Sequence, residues 1–307
     1  DSGLYLCING VEFLLTVDSN FLNANILPSG IDFLMTSFAG GASGFPLCYE
    51  NLNPQEKSNI IERHKSSERF IVYNTIKVVN PKYYMPYAGM FTERSERDDY
   101  IKMNNHKLSP SDYTNLCKQN NVEIIYPDAF NIFEIKDDIY KIYDTDRIRM
   151  ERESTSFYIE NLKREYSLDY EKIIQYFKGS GFKSRFILQL IPSDDDFNPV
   201  GHMVVADFHR NKFYSAPIEN RIDVLKGFQI TTMKVRYEVL MCVIENSLPW
   251  EDIAIGFQMR VVRNPNVYES EFWFHFTNVY TNRVNYRYSS FCGACTIIDQ
   301  NPIWVKY

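Results

Sequence analysis

Short apolar runs broken by turn residues open the chain and predict strands. Leu4–Ile8 and Val11–Val17 flank Asn9-Gly10. That dipeptide favours a two-residue hairpin turn, because both central positions take positive φ. Ile31-Asp32-Phe33-Leu34-Met35 predicts a further short strand that runs into a small-residue loop, Ser37-Phe38-Ala39-Gly40-Gly41-Ala42-Ser43-Gly44-Phe45-Pro46. Over 54–76 the apolar positions become sparse and helically spaced, with Pro54 suited to the first turn and Asn53 to the cap. Residues 77–86 read as a return strand interrupted and closed by Pro81 and Pro86. Ser109-Pro110-Ser111-Asp112 starts a short helix by the same capping logic, and 122–126 read as another strand. Alternation of strand, helix and strand implies a layered α/β unit.

From 133 to 155 the chain is strongly charged, with Lys136-Asp137-Asp138 and a run over 147–153, and a solvated connector or an exposed face is expected there. Beyond it, 169–177 predict a helix, 186–191 a strand, and 235–245 a helix rich in Val, Leu, Met and Cys. Asn264-Pro265 favours a turn before the aromatic segment 272–276. Two regions are therefore expected, an α/β region over 1–150 and an α+β region over 151–307. No internal repeat or low-complexity tract interrupts them.

Composition narrows the classes. With 307 residues, 45% apolar and 23% charged, the chain can bury a substantial core. Twenty-two Tyr and 22 Phe favour strands and large packed interfaces. A net charge of −6 and no lysine/arginine-rich run argue against nucleic acid as a main partner. No apolar run approaches the ~20 residues of a membrane span. The six cysteines lack a disulfide rhythm, so a reducing cytoplasm is the expected compartment. Cys292-Gly293-Ala294-Cys295 could be half a zinc site or a redox pair, but no second pair accompanies it, and an incidental thiol pair is favoured. The chain opens at Asp1-Ser2-Gly3 without Met, so it is expected to start partway through a longer protein.

Candidate chemistry concentrates where strands end. Asp18 closes the apolar run Val11–Val17, where a carboxylate can ligate a metal or cap a turn. Gly40, Gly41, Ser43 and Gly44 would let backbone amides approach an anionic ligand that a Cβ would exclude. Arg221, Arg260 and Arg263 could each meet a phosphate or carboxylate, since a guanidinium grips both in a bidentate way, with an ordinary salt bridge the favoured alternative for each. The run Asp194-Asp195-Asp196-Phe197-Asn198-Pro199 offers oxygen ligands without the spacing of a calcium loop. Of the five histidines, His106 precedes a helix start, His64 lies in a polar helix, and His275 sits among aromatics and is expected to pack or hydrogen-bond. His202 and His209 carry no assigned role.

Several collinear blocks resemble the CMP-N-acetylneuraminic acid hydroxylases. They are Thr16-Val17-Asp18, the loop over 38–46, residues 84–91, Asp99-Tyr100-Ile101-Lys102 and 194–199. Further blocks are Arg221-Ile222-Asp223-Val224, then residues from Trp250 through Ile255-Gly256-Phe257-Gln258-Met259-Arg260 and Arg263-Asn264-Pro265 to 272–276. The resemblance implies the second half of a metallo-β-lactamase-like αββα sandwich followed by an α+β region. It makes Asp18 a metal ligand. Related phospholipases of that fold make His106 a second candidate, against a solvated loop histidine. It implies a 2Fe-2S Rieske cluster, an iron or zinc site, a nucleotide-sugar substrate, and electrons from cytochrome b5 for O2-dependent hydroxylation of the sugar's N-acetyl methyl. By their own chemistry the amides of the glycine loop and the Arg260 guanidinium are the groups expected to meet such a substrate. The chain contains neither C-x-H with C-x-x-H nor H-x-H-x-D-H, so alone it lacks the residues for either metal centre. Two rival readings stand beside the oxygenase. One is a metallo-hydrolase of a phosphodiester, ester or lactone. The other is a non-catalytic binding subunit whose exposed sheet edge near Asp1 needs a partner strand, with self-association as one way to cover it.

Overall fold

A computed structural model describes residues 3–17, 26–40, 43–89, 91–126, 131–136, 139–144 and 153–282. The chain divides into two compact units. One comprises residues 1–41, 60–92 and 106–153, the other 42–59, 93–105 and 154–307. Two internal segments thus group with the C-terminal unit rather than with their chain neighbours.

The first unit is built on a five-stranded sheet. β1 (Leu4–Ile8) and β2 (Val11–Val17) form the antiparallel hairpin that Asn9-Gly10 predicts, with φ of 52° and 85° at the turn. β3 (Phe33–Ser37), β4 (Tyr83–Ala88) and β5 (Glu123–Ile124) then add in parallel, so β2, β3 and β4 all run the same way. Alternation sorts the side chains onto two faces. Leu14, Leu34 and Tyr84 share a register row and pack with Val72, Ile76, Val79, Tyr113 and Cys117. Phe13, Phe33 and Tyr83 share the next row on the opposite face, with stacked rings 5.0 and 4.7 Å apart.

The helix over 54–76 is present as α1 (Pro54–Val79), which extends through residues expected to be strand. Its N-terminus has the reciprocal cap: Glu56 N donates to Asn53 Oδ1 at 2.9 Å, and Asn53 N to Glu56 Oε2 at 2.7 Å. The return strand consequently starts only at Tyr83, and Pro86 lies within β4 instead of closing it. β5 pairs only with Tyr83 and Tyr84, so along that edge no ladder donor is needed at Pro86. α2 (Asp99–Asn104) belongs to the second unit. In the first unit a 3-10 turn at Pro110–Tyr113 leads into α3 (Thr114–Gln119).

The charged stretch after 130 is not simply a connector. β6 (Asn131–Lys136) and β7 (Ile139–Asp144) form an antiparallel ribbon. Phe133, Ile135 and Tyr140 pack on Phe33, Met85 and Ile125, so the ribbon covers the sheet face that α1 does not. Its polar residues alternate with these apolar ones, which is why charge alone misleads.

The second unit carries another five-stranded sheet, in the order β10-β9-β8-β11-β12. The strands are β8 (Phe186–Ser193), β9 (Met203–Asp207), β10 (Lys212–Ala216), β11 (Gln229–Arg236) and β12 (Met259–Asn264). β8 is buried along all eight residues and pairs parallel with β11, while every other pairing is antiparallel. The one amide in its interior, Gln189, is satisfied: its Nε2 donates to Ile222 O at 2.7 Å and its Oε1 accepts from Ile222 N at 2.7 Å. That pair ties residues 221–224 to the sheet.

The helices of this unit are α4 (Thr155–Glu165), α5 (Tyr170–Gly179), α6 (Tyr237–Glu245), α7 (Glu251–Ile255) and α8 (Ser270–Phe274), the last followed by a π turn at His275–Val279. Asp169 caps α5, accepting from Lys172 N at 3.0 Å. Phe177, Trp250, Phe272 and Phe276 form an aromatic cluster in mostly edge-to-face contact. The observed class is mixed α/β. Among the described residues no helix is long and apolar enough to cross a membrane.

Candidate functional site

Parallel strands bring their carboxyl ends to one edge of the first sheet, where Ser37 pairs with Ala88 and Val17 with Thr36. Ligands of open α/β sheets commonly bind at such an edge. Asp18 follows Val17 in sequence but lies outside the described residues, as does Gly41. What is described at the edge is tightly tied: Phe38 N donates to Ala88 O at 3.0 Å, Tyr113 Oη to Phe38 O at 2.7 Å, and Lys107 Nζ to Gly40 O at 2.8 Å. A Cβ on Gly89 would stand 2.6 Å from Ala39 O, and its φ is +112°, so glycine is required there. Burial lowers the Lys107 pKa below the usual lysine range. His106, the other candidate ligand, is exposed on the loop after α2.

The glycine loop divides between the units. Gly40 belongs to the first, whereas Ser43 and Gly44 belong to the second, where they line a cleft of about 580 Å³. Residues 48–50 attach beside β12 through Val261 N to Cys48 O and Glu50 N to Val261 O, both 2.8 Å. A Cβ on Gly44 would meet Met259 Cε at 3.1 Å, Ala254 O at 3.2 Å and Cys48 Sγ at 3.3 Å. The second glycine therefore lets the loop lie close against α7 and β12. Phe45 and Tyr49, in edge contact at 5.1 Å, form one wall with Arg263, and Met259, Ala254, Ile255 and Trp273 supply apolar lining.

Arg260 and Arg263 separate here, for a simple reason. They are three residues apart on β12, and an odd spacing puts side chains on opposite faces of a strand. Arg263 shares its face with Met259 and lines the cleft; its guanidinium lies 4.6 Å from the Tyr49 ring and 5.7 Å from that of Phe45. Arg260 does not line it. Its Nη1 donates to Met259 O at 2.8 Å and Phe257 O at 3.2 Å, and its guanidinium stacks 3.9 Å from the Phe197 ring. Arg221 is on the surface, paired with Asp223 at 2.9 Å.

Behind Arg260 is a buried ion network. Arg236 forms a two-pronged pair with Asp98, at 2.8 and 2.9 Å, with both side chains fully buried. Arg97 bridges Glu238 and Asp195 at 2.6 Å each, and Asp195 also pairs with Lys163 at 2.6 Å. Burial opposes ionisation of Asp195, but Lys163 and Arg97 hold its carboxyl below the usual carboxylate range. Asp194 Oδ1 accepts from Asp196 N at 3.0 Å and Asn198 N at 2.8 Å. The acidic run is thus a turn that anchors an ion network.

The groups a metal centre needs are not gathered here. Among the described residues no three His, Cys, Asp or Glu side chains form a possible metal site. Cys7 is exposed, and Cys48 and Cys117 are buried singly with thiols each pushed up to about 11 by burial. Cys292 and Cys295 lie outside the described residues. Among the described residues the donors present do not make up a set for a 2Fe-2S cluster or for an iron or zinc ion. His275 is buried, with Nε2 2.9 Å from Ser180 O, and packs on Phe182 and Phe276 as its aromatic context implies.

Comparison with known proteins finds similarity along nearly the whole chain. It is 30% identical over 301 residues to the cytidine monophosphate-N-acetylneuraminic acid hydroxylase of Danio rerio, covering 90% of this chain and 49% of that protein. The Macaca mulatta protein of the same name is 30% identical over 295 residues, again 90% of this chain and 49% of the relative. A Homo sapiens protein named as an inactive form is 29% identical over 295 residues, covering 90% of this chain and 58% of it. The chain spans about half the length of the curated relatives it matches. No family model matches, and no solved structure matches.

Proposed function

Because the chain belongs to the CMP-N-acetylneuraminic acid hydroxylase family, we propose that it forms part of a hydroxylase-like oxygenase acting on the N-acetyl group of a nucleotide-linked sugar. The observation that carries this reading is the extent of the similarity, which runs over 90% of the chain and through both units. Within such a protein this chain would contribute to substrate binding through the cleft lined by Ser43, Gly44 and Arg263. A 2Fe-2S cluster, an iron or zinc ion and a cytochrome b5-type electron donor are the cofactors and partner this reading calls for.

The test uses the longest reading frame that contains this chain. Expressed with cytochrome b5 and its reductase, it should convert CMP-N-acetylneuraminate to a product heavier by one oxygen atom, only in the presence of O2. Metal-dependent turnover of a phosphodiester, ester or lactone that needs no O2 would replace this reading with the hydrolase. A second reading is a non-catalytic binding portion that uses the same cleft. It expects binding of the nucleotide sugar without turnover, and a fold whose melting temperature is indifferent to chelators.

A further inference from the structure

The cleft of the second unit combines features that a merely structural groove does not need. Arg263 Nε is used by Asn266 Oδ1 at 2.7 Å, which fixes the direction of the fork. Among the described residues the two terminal nitrogens make no hydrogen bond or ion pair, although the side chain is only half-exposed. Tyr49 and Phe45 hold the guanidinium plane from the side. A half-buried guanidinium whose open end faces a cleft offers two parallel donors to a phosphate or carboxylate. Around it, Phe45, Tyr268 and Trp273 provide aromatic surface, and Met259 adds an adaptable apolar contact. Glu251, exposed on the rim, is an acceptor suited to an amino group on a flat ring.

We propose that this cleft binds a small organic anion bearing a flat ring, with Arg263 gripping the acid group and the aromatic lining receiving the ring. Naming the ligand as the nucleotide half of the substrate rests on the hydroxylase reading above; the cleft chemistry does not. Arg263 is then the residue that sets specificity for the anion, and Glu251 favours a ring that carries an amino group.

Titration calorimetry on the full chain tests this with three probes: CMP, cytidine and phenyl phosphate. The expected result is that CMP and phenyl phosphate bind, that cytidine binds at least about tenfold more weakly than CMP, and that Arg263→Ala weakens both anions by at least about tenfold. Arg221→Ala, on the surface pair with Asp223, should leave both affinities unchanged. Failure of both anions to bind, or binding that Arg263→Ala leaves intact, overturns the proposal. If phenyl phosphate binds through Arg263 and CMP does not, the cleft stands and the nucleotide-sugar reading falls. CMP binding that is indifferent to Arg263 leaves that reading standing and sinks the cleft. Should Arg263→Ala fail to fold, Glu251→Gln on the rim gives an independent readout. Removing its charge eases an anion while leaving only a neutral, weaker acceptor for the amino group, so the preference for CMP over phenyl phosphate should fall. An unchanged preference overturns the proposal.

Discussion

At the residue scale, Arg236 shows how burial changes the consequences of a substitution. Its guanidinium and the Asp98 carboxylate are both fully buried and joined by two short hydrogen bonds, with further donation to Asp195 O at 2.8 Å. Removing one partner of such a pair leaves an uncompensated charge in a low-dielectric interior. Arg236→Ala should therefore cost about 3–5 kcal/mol, read as a lower urea midpoint. Arg236→Lys should recover only part of it, because an ammonium cannot reproduce the two-pronged geometry. Asp195, Arg221 and Arg260 all fall in the blocks that carry the family resemblance, and each has an internal partner. Of the three arginines the sequence offers for an anion, Arg260 was the one singled out, whereas Arg263 is the one that lines the cleft. Strand alternation from Met259 distinguishes it from Arg260, but only once 259–264 is known to be a strand.

At the element scale, short-range signals were legible. The Asn9-Gly10 turn, the start of α1 at Pro54 and the Ser109–Asp112 cap all depend on contacts within a few residues. The capping box of α1 also gives a measurable expectation. Asn53→Ala should destabilise by about 1 kcal/mol, detected as a shift in the denaturation midpoint, since one orphan helix donor loses its acceptor. The ends of elements were less legible. α1 runs on to Val79 because Ile76 and Val79 continue its buried face, and no local signal opposes those last residues. The β6–β7 ribbon was missed because its charged residues outweighed the alternation of exposed Ile132 and Glu134 with half-buried Phe133 and Ile135.

At the scale of the molecule, the two units differ in what stabilises them. The first depends on a sheet covered on one face by α1 and α3 and on the other by the β6–β7 ribbon. The second adds the ion network to its aromatic core. That network makes the second unit acid-sensitive. A carboxyl held below its unfolded value of about 4 stabilises the fold above that pH and loses its contribution as pH falls through the depressed value. Urea midpoints from pH 6 to pH 3 should show the difference between the parent chain and Asp195→Asn shrinking towards the acid end. A constant difference across that range would remove Asp195 from the acid response.

The sequence by itself determined the hairpin, the caps it signalled, about half of the strands and helices, the mixed α/β class and the family, because each rests on local order or on collinear similarity. Tertiary structure alone decided which polar residues are occupied and which are available. The ion network joins residues 97–98 to 195, 236 and 238, and the cleft joins 43–49 to 251–273. Such groupings depend on which strand faces and loops meet across more than a hundred residues, and hydrophobic periodicity carries no record of the partner it will meet.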